Sequence, residues 1–144
     1  MVQNKRRKPT AGDSPTVDGV VDAMEQGRAE IVVRLRKVAL GLAGTSERTV
    51  YDGFFREWTP AVYVGDKQLF HVHNFRSGLR ATVFVGVSSL EPAALHSDEV
   101  SLAVRENVAS TSGRTMKQVK FPLGGIDDLE PLMELVRLKW SMET

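Results

Sequence analysis

The chain has 144 residues, 42% of them hydrophobic and 26% charged, with a formal net charge of +1. That length suits one domain able to bury a core without cross-links, and the composition is ordinary for a globular protein. Cysteine is absent, which excludes disulfides, thiolate catalysis and cysteine metal centres, and no apolar run approaches the ~20 residues of a membrane-crossing helix.

Residues 1–17 mix Pro, Gly, Ser, Thr and charge without apolar period, so a disordered basic tail is expected there and a single domain over 18–144. Lys5, Arg6, Arg7 and Lys8 put +4 into the first eight residues, leaving −3 on the other 136. Any nucleic-acid contact is therefore expected through those four side chains alone, weak and sensitive to salt. The basic start runs into "PTAGDSPT" and not into an apolar stretch, so no secretory signal is expected, and with no cysteine the expected location is the cytoplasm.

A helix is expected from about Val20 to Leu42, with Ile31, Leu35, Val38 and Leu42 on one stripe, Arg28, Arg34 and Lys37 off it, and Gly44 ending it. Strands follow at 61–64, 68–75 and 79–87, separated by the turn signals "GDK" and "RSG", which reads as an antiparallel meander. Pro60 is expected to start an edge strand after a chain reversal at Trp58-Thr59. Helical period returns with Val100, Ala103, Val104 and Val108 on one stripe and Ser97 or Asp98 as N-cap. "MKQVKF" (116–121) is a further strand. Asp127 and Glu130 then form a capping-box pattern ahead of Leu129, Leu132, Met133, Val136 and Trp140. The expected class is α+β: one antiparallel sheet of about four to five strands packed against amphipathic helices, in the order α-β-β-β-α-β-α.

The stretch from Ile31 to Trp140, about three-quarters of the chain, resembles the small bacterial YdhG-like domains. The residues that carry the likeness are "SERTVYDGF", "WTPAVYVGDKQLFHV", "ATVFVGV", "SGRTMKQVKF" and the closing "LVRLKW". The resemblance implies a compact sheet-and-helix domain and no agreed catalytic residues. An iron-handling role suggested within that group would need an acidic ridge, whereas the first helix here is basic.

Six side chains are candidates for ligand binding: Trp58, Tyr63, His71, His73, Arg80 and Arg114. His71 and His73 share a strand face, with Cβ atoms roughly 6.5–7 Å apart. They read as structural imidazoles, as pocket-wall contacts, or as two ligands of a metal that would still want a third. A three-residue "RSG" loop would set them opposite Val83 and Ala81, among apolar neighbours, and a two-residue "SG" loop opposite Phe84 and Thr82. The cluster Tyr51, Phe54, Phe55, Trp58 and Tyr63 either plugs the helix–sheet junction or roofs a pocket near Arg56. Arg80 and Arg114 could clamp an anion if they meet at one end of the sheet. "GG" at 124–125 is a poor phosphate site because Asp127 and Asp128 already occupy the helix start.

No Gly-x-Ser-x-Gly elbow or paired nucleophile and base stands out, so no catalytic residue, metal site or cofactor is expected. The functional expectation is a cytosolic, non-enzymatic domain that binds a small molecule or a protein partner on its sheet, with a homodimer as a further expectation. Metal (iron) handling through His71 and His73 is the first alternative, and nucleic-acid association through Lys5 to Lys8 the second.

Overall fold

The computed structural model describes residues 14–144. Its elements run α1 (Val17–Asp22), α2 (Gln26–Ala39), β1 (Thr45–Asp52), β2 (Glu57–Val64), β3 (Lys67–Phe75), β4 (Gly78–Gly86), α3 (Leu90–Leu95), α4 (Leu102–Ser110), β5 (Met116–Leu123) and α5 (Leu129–Glu143). The five strands form one antiparallel sheet in the order β1-β2-β3-β4-β5, and helices cover one of its faces, so the α+β expectation holds. Among the described residues no helix is long and apolar enough to cross a membrane.

One cluster makes the core. Val62, Val64, Leu69, Phe70, Val72, Leu79, Ala81, Val83, Val85, Val119, Phe121 and Leu123 from the sheet meet Leu35 of α2, Val104 and Val108 of α4, and Leu132, Met133 and Val136 of α5. On β4 and β5 the alternate residues, Arg80, Thr82 and Phe84 with Gln118, Lys120 and Pro122, point to the other face, as the two-residue period of a strand requires.

Several boundaries differ from expectation. The first helix is two helices: the chain turns at Ala23 to Glu25, and the Glu25 carboxylate accepts the Gly27 N–H at 2.6 Å, restarting the helix. Its stripe runs Ile31, Val32, Leu35, Ala39, while Val38 is exposed. Val17, placed in the tail by composition, is buried at the start of α1 behind the Thr16 cap. β1 was not expected. "TSERTVYD" is polar because it is the sheet's edge, where Glu47 meets Arg36 of α2 at 2.6 Å and the Thr49 hydroxyl donates to Pro15 O at 2.9 Å. Consequently Pro60 lies within an interior strand, opposite Thr49, and starts no edge.

The second helical stretch is also two short helices. Ser101, not Ser97 or Asp98, accepts from the helix start, and Ala103 faces outward. Before α5 the cap is made by Asp128: its Oδ2 accepts from Gly124 N at 2.7 Å and Gly125 N at 3.1 Å. Those two N–H groups are thereby taken, which agrees with the poor phosphate site read from sequence. Glu130 serves instead as the partner of Arg137 at 2.9 Å.

Candidate functional site

The register of β3 decides where the histidines go. The Gly65-Asp66 turn pairs Val64 with Lys67 and Tyr63 with Gln68, but beyond it Val62 pairs with Phe70 and Ala61 with His71. One extra residue, Leu69, is therefore bulged into β3. Leu69 and Phe70 are both buried on the helix side, and every later residue of the strand changes face. Without the bulge, strict alternation from Gln68 would aim His71 and His73 at the core. With it they stand on the face away from the helices.

The next turn fixes their neighbours. Phe75 pairs with Gly78, so the loop is Arg76-Ser77, and Gly78 takes φ +153°, open to glycine alone. His73 then lies opposite Arg80 and His71 opposite Thr82. Neither loop considered from sequence gives this register, and the apolar setting beside Ala81 and Val83 is replaced by a polar one. His73 also gains an acidic partner from outside the hairpin: its Nε2 is 2.8 Å from Asp52 Oδ2.

This face carries an open cavity of about 620 Å³. Its floor and walls include His71, His73, Arg80, Phe84, Gln118 and Lys120 from β3 to β5, and its overhang is the β1–β2 turn with Phe54 and Phe55. Asp52 builds that turn. Its Oδ1 accepts from Phe54 N at 2.9 Å and Phe55 N at 3.1 Å, while Arg56 closes the loop in the left-handed region at φ 56°. Phe55 packs edge-on against both His73 and Phe75, and His73 stacks on Phe75 with an interplanar angle of 7°. Phe54 is left 86% exposed at the lip.

Electrostatics follow from these contacts. Burial pulls the Asp52 carboxyl upward, but the bonds from His73 and from the Phe55 and Phe54 N–H groups outweigh it and hold it below the usual carboxylate range. An ionised Asp52 can only accept, so Nε2 of His73 carries the shared proton and Nδ1 is turned elsewhere. Burial, with the charges of His73 and Arg80 adding to it and Asp52 opposing, pushes His71 down to about 4, so it is neutral at pH 7. Its Nδ1–H donates to Gln68 Oε1 at 2.7 Å, and Gln68 in turn donates from Nε2 to the Tyr63 hydroxyl at 3.3 Å.

Three buried side-chain polar atoms have no partner among the described residues: His73 Nδ1, Arg80 Nε and Thr82 Oγ1. All three belong to this one face, on paired positions of β3 and β4. Thr82 is 1% exposed and His73 3%. Buried polar atoms are nearly always satisfied inside proteins, so three on one face set this part of the sheet apart.

Of the six candidates, the cavity gathers His71, His73 and Arg80. Tyr63 stands behind it, holding Gln68 and carrying the Arg48 guanidinium 3.8 Å from its ring centroid. Trp58 points to the helix side, in a recess with Val20, Met24 and Pro60, and meets Tyr51 edge-on at 5.3 Å. The aromatic cluster thus divides, Phe54 and Phe55 roofing the cavity and Trp58 packing below the sheet. Arg114 is exposed before β5 at the Met116 end, while Arg80 pairs with Pro122 at the opposite end, so the two arginines do not meet. Other residues of the cavity, Asp52, Phe84, Gln118 and Lys120, had no local signal, since only the assembled sheet unites them.

Among the described residues no group of three or more His, Cys, Asp or Glu side chains is placed to hold a metal ion, so the histidine pair gains no third ligand there. Lys5, Arg6, Arg7 and Lys8, with the disorder expected around them, lie outside the described residues. Comparison of the chain with family models, with curated proteins and with solved structures finds no match in any of the three.

Proposed function

We propose that the chain is a small-molecule binding domain whose site is the open face of the sheet under the Asp52–Arg56 turn. The observation that carries this reading is that two residues lining one aromatic-walled cavity, His73 and Arg80, each bring a buried polar atom, Nδ1 and Nε, that has no partner among the described residues. Its volume of about 620 Å³ suits a metabolite-sized ligand and not a folded partner. Membership of the YdhG-like group and a cytoplasmic setting belong to the same proposal, supported by the motifs quoted above and by the absence of cysteine.

The test is an amide-resonance titration of the ¹⁵N-labelled protein with a fragment library holding neutral and charged members. Shifts should cluster on 71, 73, 80, 82, 84, 118 and 120. A library that leaves these resonances unmoved, or moves only helix-side ones, defeats the reading.

A second reading, acid–base chemistry at the same cavity, is favoured by one specific contact, the Asp52–His73 bond at 2.8 Å. Asp52 would orient His73, and His71 Nε2, left free by the bond at Nδ1, would accept a ligand's proton. The two readings part when any fragment that binds is followed over hours: appearance of a product in wild type and its loss in His71→Gln supports catalysis, and an unchanged ligand supports binding alone.

A further inference from the structure

Resting on the small-molecule reading, we infer that the ligand carries an oxyanion, a carboxylate or phosphate, held between Arg80 and Lys120. The charges lining the cavity are Asp52, Arg80 and Lys120. Asp52 is already spent, with one oxygen on His73 and the other on two backbone N–H groups. The two cations are not. Among the described residues neither Arg80 nor Lys120 has a carboxylate partner or a side-chain hydrogen bond.

That is not the habit of this protein's half-buried cations. Arg28 donates to Asn74 Oδ1 at 2.7 Å, Arg36 meets Glu47 and Asp18, Arg105 donates to Val100 O at 2.9 Å, and Lys139 to Phe84 O at 2.6 Å. The buried Lys117 holds both Glu91 and Val108 O. Arg80 is the half-buried guanidinium left with its Nε orphaned. Its guanidinium carbon lies 4.6 Å from the centroid of the Phe75 ring, a cation–π contact that uses no acceptor.

Register supplies the geometry. Lys120 is directly opposite Thr82, and Arg80 is two residues along the same strand as Thr82. The two cations are therefore diagonal neighbours on one face, with Cβ atoms no more than about 7–8 Å apart, and Thr82 is the buried position next to both. A planar or tetrahedral oxyanion drawn into that gap answers two unpaired charges and gives acceptors to the Arg80 guanidinium and the Lys120 ammonium together. The rest of the ligand then meets Phe84 and the Phe55 overhang, which suits an aromatic or apolar body.

The experiment is calorimetric titration with three matched probes, benzoate, phenyl phosphate and the neutral benzamide, against wild type and Lys120→Gln. One charge-assisted contact is worth roughly tenfold in affinity or more. Benzoate or phenyl phosphate should therefore bind wild type at least about tenfold tighter than benzamide, and Lys120→Gln should erase most of that margin. The tighter of the two anions tells carboxylate from phosphate. Arg80→Gln should do the same, and because that side chain is half-buried its melting temperature is measured alongside; the exposed Lys120 guards against misfolding as an explanation. Equal binding of benzoate and benzamide overturns the oxyanion while leaving the cavity a binding site. Failure of all three probes overturns it too, and the fragment titration above separately decides whether the cavity binds anything.

Discussion

Thr82 and Thr59 make a matched experiment on one sheet. Both are threonines in strands, both are 1% exposed, and both occupy the face away from the helices. They differ in one respect: the Thr59 hydroxyl donates to Val50 O at 2.8 Å, whereas the Thr82 hydroxyl has no partner among the described residues. Replacing either by valine keeps the shape and the branched β-carbon, so strand preference is nearly unchanged. At Thr59 the change removes a hydrogen bond, with an expected loss of about 1 kcal/mol. At Thr82 it removes a buried, unsatisfied hydroxyl whose desolvation costs ~1–3 kcal/mol, so Thr82→Val should gain about 1–2 kcal/mol. For a chain of this length that is a rise of roughly 3–6 °C in Tm. Urea unfolding checks both: midpoints should move in opposite directions at unchanged slope. If both variants shift the same way, burial alone governs these positions, and the Thr82 hydroxyl is not an unsatisfied group. A stabilised Thr82→Val that also binds benzoate more weakly would show stability given up for function.

The remaining expectations concern pH, an ion pair and a turn. His71, held down to about 4 in the fold, takes a proton from pH 6.5 downward only when unfolded. The unfolded state then binds more protons, so stability is full above about pH 6.5 and falls as pH drops toward 4, with Asp52 adding a further loss at lower pH. Urea midpoints across that window should flatten in His71→Gln, and an equal slope in both proteins would refute the assignment. Glu91→Ala strands the buried Lys117 ammonium and should cost roughly 3 kcal/mol, while Glu91→Ala with Lys117→Met should recover most of it; a double variant no better than the single one contradicts the pairing. Gly78→Ala, at φ +153°, should cost about 1–2 kcal/mol by the same measurement, and a neutral result would mean the two-residue turn is not needed.

Much of the fold was legible because long stretches carry one period cleanly. "LRATVFVGV" alternates with Leu79, Ala81, Val83 and Val85 all buried, and α5 shows Leu129, Leu132, Met133 and Val136 on one face as its spacing requires. β1 was illegible for the opposite reason: as an edge strand it buries little, and its polar residues answer α2 and Pro15 instead of a core. The helix break at Ala23 was hidden because apolar spacing runs on across it while the Glu25 cap restarts the helix, and the later helix starts at Ser101, a few residues past the Ser97 or Asp98 start that the spacing suggests.

The candidate site was half legible. His71, His73 and Arg80 stand out as residue types, and their being on one hairpin follows from the turn between them. Asp52 does not, since it comes from the end of β1, two strands away, and only the assembled sheet brings it to His73.

What the sequence by itself determined was the class of the molecule: which runs are strands, which are helices, and that their apolar faces must close on one core. Which way the imidazoles look was decided only in three dimensions. A strand repeats every two residues, so the single bulged residue Leu69 exchanges the faces of everything after it, and no local pattern announces a bulge. That one-residue slip turns two histidines away from the helix-side core and sets them beside Asp52, Arg80 and Thr82 on the face that carries the open cavity.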